Sequence, residues 1–450
     1  MQTVFVLGAG FSRAVSAAMP LTDELGEVVR DRLPEARARS PRGFTGGYFE
    51  AWLSRLAEPQ PDLTSAANAA NHALFLQVAE EIHRIMQERE LQVLLGTPPW
   101  WLQRLVGVMH ATRSPVVTFN YDTLIERTVA YLGLSDWGRE STTVKASNLV
   151  RDIPPAPRRG GFLHDPGSQS LRLLKLHGSL DNYWVPGDVS GATIQRLPLA
   201  GTWGEPVPVD EQERREQLPG REPFIVPPAA AKSAFYNNPI SRELWQSTAR
   251  ALAGAARVSL IGYSLPPTDL VSSGMLTDAL TRDDVIVDVV NPYPKGVADR
   301  LAALGVPQSC IRCTDGTSAV ETYIAELERH VGSRVTEGLE AVDEDRHLIV
   351  GTSPSRSARV LGLKEVDDEV HLVTTEAGDT AEITRVVPGA TQQTVTVAAL
   401  RAVAKPGTVL RAIYGDGTTA VIVGLAEFAT ETGLGNGRWT VLVASAVENK

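Results

Sequence analysis

The chain has 450 residues, 43% of them hydrophobic and 21% charged, with 43 Lys and Arg against 53 Asp and Glu and a formal charge of −10. This is the composition of a globular protein of two to three domains, and the absence of any Lys/Arg-rich run argues against binding a nucleic-acid backbone. Two cysteines exclude a disulfide framework and a four-cysteine zinc module. No stretch of 18 mainly apolar residues is present, and the opening MQTVFVLGAGFS lacks a basic flank and cleavage site, so a cytoplasmic protein is expected.

In chain order, Thr3–Leu7 reads as a buried strand that runs into a Gly-rich turn. Helical spacing follows over Thr22–Leu33, then a Gly/Pro/Arg-rich loop to about Gly47, then a long helix from Ala66 to Leu95 that Pro98 and Pro99 stop. Pro115–Phe119 is a second strand, after which Asp122 opens and caps a helix to Leu132. The stretch from Arg139 to Pro239 is irregular, crossed by a strand at Leu171–Leu176 and a shorter one at Phe224–Val226. Helices at Ser241–Ala256, Leu270–Leu280, Val297–Leu304 and Ala319–His330 alternate with strands at Arg257–Ile261 and Val285–Val290. Strands apolar throughout, alternating with helices, predict a Rossmann-like parallel sheet covered by helices on both faces.

Beyond Val331 the pattern changes. The predicted division is an α/β unit over 1–334, an acidic linker over 335–346, and an antiparallel all-β domain, barrel or sandwich, over 347–450. Its turn signals are Gly415-Asp416-Gly417, Asn436-Gly437 and Ala377-Gly378-Asp379. No internal repeat is evident.

Chemistry-bearing residues fall at the strand ends. Gly8-Ala9-Gly10-Phe11-Ser12 follows the first strand, where glycines let backbone amides approach a diphosphate at a helix start. A hydride-transfer fingerprint would want glycine at Arg13 and an acid ending a second strand some 20 residues on, and neither is present. Phe119-Asn120-Tyr121-Asp122 ends the next strand, with Asn120 suited to hold a sugar hydroxyl or a water. His177, in Lys175-Leu176-His177-Gly178, is a candidate base. Gly262-Tyr263-Ser264 and Asn291 end two later strands. Taken singly, each motif also fits a plain turn or, for His177, a structural histidine; five together describe one cleft along a sheet edge. No histidine pair has ligand spacing, so no metal is expected. Cys310 and Cys313 read as reduced thiols at a strand edge, and Trp100 and Trp101 as core or lid anchors.

GAGFS at 8–12, FNYD at 119–122, KLHGS at 175–179, GYS at 262–264 and VVNP at 289–292, in that order, resemble the SIR2-like family, the sirtuin-related NAD-consuming domains of prokaryotic antiphage defence. The resemblance spans about residues 1–330. It implies NAD+ as substrate, bound by Gly8, Ala9, Gly10, Phe11, Ser12, Asn120, Asp122, Gly262, Ser264 and Asn291, with Asn120 and His177 catalytic. Protein-deacylating sirtuins carry a four-cysteine zinc module between the HG motif and the later strands, yet 177–262 holds no cysteine. The segment after GAGFS also departs from theirs: Met19-Pro20-Leu21-Thr22-Asp23-Glu24 stands in its place. The expectation is therefore an NAD+ hydrolase that releases nicotinamide and ADP-ribose. An NAD or ADP-ribose sensor without turnover and an NAD-dependent deacylase are the alternatives. The 347–450 domain, which lacks a catalytic constellation, is assigned to homo-oligomer assembly or to docking a defence partner.

Overall fold

The structure, a computed structural model, describes residues 2–132, 171–197, 201–229, 233–236, 238–266, 269–353, 356–384, 394–425 and 439–444. At its centre is a six-stranded, wholly parallel sheet. Its spatial order is Ile311–Thr314, Ile286–Val290, Arg257–Ile261, Thr3–Leu7, Pro115–Thr118, Arg172–Lys175. Counted along the chain this is the doubly wound order 3-2-1-4-5-6, and the winding reverses between Thr3–Leu7 and Arg257–Ile261. Period-two alternation sends Phe5, Leu7, Val116, Leu173 and Ile261 into one core, shared with the helices Ser65–Leu94, Trp100–Ala111 and Ala319–Leu339. Val4, Val6, Val117, Leu174, Val258 and Leu260 enter a second core beneath the helices Pro239–Ala253, Leu270–Leu280 and Lys295–Ala303. With both faces covered, strands such as Thr3–Leu7 and Pro115–Thr118 read as apolar runs, and the polar exceptions Arg257, Ser259 and Asp288 hydrogen-bond to one another.

Local differences from the sequence reading have physical causes. Pro98 and Pro99 end one helix and begin another, Trp100–Ala111, in which Trp101 is buried edge-on against Phe11 while Trp100 stays half exposed. The chain does not stay irregular after the Arg172–Lys175 strand. Gly178–Trp184 forms a further strand, buried at every position, at the middle of a three-stranded antiparallel sheet with Gln195–Arg196 and Glu222–Ile225. Ser179, Asp181 and Asn182 are buried in it, so it shows neither an apolar run nor a clean alternation. The helix expected to end at His330 runs on to Leu339, because Val331, Val335 and Leu339 continue its apolar face, Val335 and Leu339 packing into the barrel core.

The C-terminal unit is a closed six-stranded barrel. Around it run His347–Ser353, Trp439–Ala444, Thr419–Leu425, Val409–Ile413, Glu369–Thr374 and Arg356–Val366, which pairs back with His347–Ser353. The expectation of antiparallel pairing throughout is corrected: His347–Ser353 with Trp439–Ala444, and Glu369–Thr374 with Val409–Ile413, are parallel. Two three-stranded meanders are joined by a crossover containing the helix Val397–Val403, so the strands that meet across the joins run the same way. The hairpin at 415–417 is as expected, Gly378–Asp379 pairs with the start of Arg356–Val366, and Asn436-Gly437 lies outside the described residues. Glycines set the barrel close on the Ala319–Leu339 helix: a Cβ on Gly332 would stand 2.5 Å from the Thr408 carbonyl, and one on Gly338 2.7 Å from Leu425. No described helix is long and apolar enough to cross a membrane.

Candidate active site

Because the six strands are parallel, their carboxyl ends and the motifs that follow them share one edge of the sheet. At the reversal of winding, the Gly8 and Gly262 turns are pressed together. Gly8 donates to the Ile261 carbonyl at 3.1 Å and Gly10 to the Gly262 carbonyl at 2.9 Å. A Cβ on Gly8 would lie 2.6 Å from the Tyr263 Cα, and one on Gly262, whose φ is +60°, would overlap the Phe11 nitrogen. These glycines thus serve contact between two turns, and the Gly10 N–H is already engaged.

Next to them lies a cluster built from two strand ends. The buried Ser12 hydroxyl donates to Asp122 Oδ2 at 2.6 Å, and the Asn120 amide nitrogen donates to the Gly8 carbonyl at 2.8 Å and Ser12 Oγ at 2.9 Å. The expected capping role of Asp122 is largely displaced. The helix spans Leu124–Tyr131, and the second Asp122 oxygen reaches the Leu124 N–H only at 3.4 Å. Glu90, from the long helix, accepts instead from the N–H and hydroxyl of Thr123, both at 2.6 Å. Burial pushes the Glu90 carboxyl up to about 7.

The backbone of this turn is fixed from below by a buried cation. Lys175 Nζ donates to the carbonyls of Tyr121 (3.2 Å) and Asp122 (2.5 Å) and to Glu126 Oε1 (3.1 Å). Burial pushes the Lys175 ammonium down, but Glu126, Asp181 and Asp122 outweigh it and hold the group above its usual range; burial raises the Glu126 carboxyl. The Tyr121 hydroxyl donates to the Val226 carbonyl at 2.7 Å. Leu176 donates to the Thr118 carbonyl, which sets His177 beside the Asn120 turn. The buried His177 ring lies 5.1 Å from Phe119, which stacks on Tyr263 at 4.7 Å. His177 Nε2 is 3.3 Å from the Tyr236 hydroxyl and 3.7 Å from Asp269 Oδ2. Burial raises the Tyr236 phenol, keeping it a neutral hydrogen-bond partner.

The structure therefore brings Gly8, Gly10, Ser12, Asn120, Asp122 and Gly262 into direct contact, with His177 adjoining. Ala9 begins the helix Ala9–Val15, and the Phe11 ring is spent in the core. Ser264 and Asn291 lie further along the edge: the Ser264 carbonyl accepts from Arg300 at 2.6 Å, and the Asn291 side chain accepts from the Tyr293 N–H at 2.9 Å, an Asx turn. Sequence reasoning missed Tyr236, Asp269, Glu90 and Glu126. Glu90 had a signal, since it continues the apolar 78-82-86 row of the long helix, where a carboxylate is out of place. Asp269 reads as a helix cap, which it is, and nothing local links it to His177.

No family model matches the chain, and no curated protein matches it. Among solved structures, one described as "Structural Basis for the Mechanism and Regulation of Sir2 Enzymes" is similar over 73% of this chain and 92% of that one, at 13% identity and a TM-score of 0.31. A superposition this loose assigns no residue, and the functional reading rests on the chain's own side chains.

Proposed function

We propose that this chain cleaves the nicotinamide–ribose bond of NAD+ with water, giving nicotinamide and ADP-ribose. The observation that supports it most is the joining of Ser12, Asn120 and Asp122 into one hydrogen-bonded cluster beside His177, at the reversal point of a doubly wound sheet, where such folds take nucleotides. The ordered motifs that resemble the SIR2-like family supply the choice of nucleotide.

In this reading the turn over Gly8–Ser12, with the Ala9–Val15 helix start, faces the diphosphate, and Ser264 and Asn291 lie toward the adenosine half. Asn120, its amide nitrogen spent on Gly8 and Ser12, offers its amide oxygen to a ribose hydroxyl or to the attacking water. The pyridinium leaving group departs as neutral nicotinamide with the electron pair of the broken C–N bond, so no acid is needed. The sugar passes through an oxocarbenium-like state, as in glycoside hydrolysis. Water forms the new C–O bond, and His177 takes its proton, with the Asp269 carboxylate near by as counter-charge and Tyr236 fixing the ring. The barrel, whose described buried residues include no carboxylate, histidine, lysine, arginine or cysteine, has no part in this chemistry; its proposed role is assembly or partner docking. Incubating the purified chain with NAD+ and separating the products by chromatography tests the reading: nicotinamide and ADP-ribose should appear in equal amounts. Intact NAD+ with saturable binding would favour a sensor.

A further inference from the structure

A cavity of about 310 Å³ lies at the opposite, amino-terminal edge of the sheet, a strand's length (about 15 Å) from the candidate active site. Four parts of the molecule wall it: the start of the Thr3–Leu7 strand, the end of the Trp100–Ala111 helix with the turn that leads into Pro115–Thr118, the Ala319–Leu339 helix, and Val423 and Gly424 of the barrel. Phe5, Val108, Leu327, Val331, Val335 and Val423 make its apolar wall. Its polar lining includes Arg113, His330 and Arg334 and not one carboxylate. Burial first, then the Arg257, Arg334 and Arg312 guanidinium groups, push the His330 imidazole down, while Asp288 raises it.

A second observation comes from the backbone. The Trp100–Ala111 helix ends in a Schellman arrangement: Arg113 donates to the His110 carbonyl at 3.0 Å, and Ser114 to that of Met109 at 3.0 Å. The residue that must take the left-handed conformation there is ordinarily glycine, yet it is Arg113, at φ +50°. A strained, exposed arginine thus stands at the lip of an apolar cavity, and strain of this kind gathers at ligand sites.

We propose that this seam cavity binds a small organic anion: an apolar body in the pocket between sheet and barrel, and one anionic head among Arg113, His330 and Arg334. The volume is that of a small-molecule site, and the lining has the form of one, mostly apolar with a few convergent polar groups. An occupant touches both structural units, so its binding stabilises their docked arrangement.

The test is calorimetric titration of the full-length protein with naphthalene-1-sulfonate, and with 1-naphthylmethylammonium as a probe of similar shape and opposite charge. The sulfonate should bind saturably at one site per chain, and the ammonium at least tenfold more weakly. Arg113→Gly should weaken sulfonate binding tenfold or more while leaving the melting temperature equal or higher, since glycine relieves the left-handed strain. His330→Gln, at an exposed position, should also weaken it. Equal binding of the two probes, no saturable binding of the sulfonate, or an Arg113→Gly protein that binds as well as the parent would each overturn the proposal.

Discussion

At the carboxyl edge of the parallel sheet, Ser12, Asp122, Glu126, Lys175 and His177 are all buried and all held by polar partners, whereas the barrel interior from Leu348 to Ala444 is a cluster of Val, Leu, Ile, Ala and one Tyr. The difference separates two uses of burial. An apolar interior stabilises by removing surface from water, and any well-shaped aliphatic set would serve. Buried ions and hydroxyls are costly to desolvate and add little net stability; their return is a fixed geometry. Where a fold keeps a lysine, two carboxylates and a histidine dry within a few residues of one another, position is being maintained for something other than stability.

The largest effect expected from this contrast is at Asn120. Asn120→Ala should lower NAD+ cleavage on the order of a hundredfold or more, because it withdraws the ribose- or water-orienting amide while deleting no core volume. The measurement is steady-state nicotinamide release, with circular dichroism to confirm the fold; full activity would reduce Asn120 to a turn residue. Next comes Lys175→Met, which leaves Glu126 and two carbonyls without their buried cation. It should cost about 3–5 kcal/mol in denaturant unfolding, and a neutral result would show that the cation does not set the Tyr121–Asp122 turn.

Glu90 gives a pH test. Its folded carboxyl, at about 7 against an ordinary 4.5, keeps its proton in the folded state over that interval while the unfolded chain loses it. Its contribution is therefore fully present below 4.5 and is lost as pH rises through 7, amounting to about 3 kcal/mol. His83, pushed down to about 4 by burial, runs the other way: its contribution is present above 6.5 and lost as pH falls toward 4. The two oppose each other between these limits, so the parent profile is flattened in mildly acidic solution. Glu90→Gln should unmask His83, making stability rise from pH 5 to pH 6.5 and removing the decline that the parent shows from 6.5 to 8. A variant profile parallel to the parent's would place the Glu90 proton elsewhere. The smallest effect belongs to the barrel: Ile422→Val should cost about 1 kcal/mol of stability and leave turnover per folded molecule unchanged.

The sequence carried the inner strands of the sheet because burial on both faces left them mainly apolar runs, as in Thr3–Leu7 before Gly8 and Pro115–Thr118 before Asn120, and it did not announce the edge strand Ile311–Thr314, which is half open to solvent. Gly178–Trp184 was concealed because its buried residues include Ser179, Asp181 and Asn182, which leave no apolar run, and because no flanking helix pattern identifies it. The candidate site was legible where strand ends supply it and illegible where distant segments do. Tyr236 lies in an irregular stretch and Asp269 at a helix cap, and only the packing of their segments brings both to His177 Nε2. The parallel joins in the barrel were hidden for a related reason, since turn chemistry reports the hairpins it makes and is silent on strands that meet after a crossover.

The measurement that bears most directly on the account compares the full-length protein with its His177→Ala variant, following nicotinamide release from NAD+ by chromatography and NAD+ binding by calorimetry on the same preparations. The expected result is cleavage by the parent, a loss of about a hundredfold to ten-thousandfold in the variant, and NAD+ affinity within a few fold of the parent's. A variant that releases nicotinamide at the parent rate would contradict it.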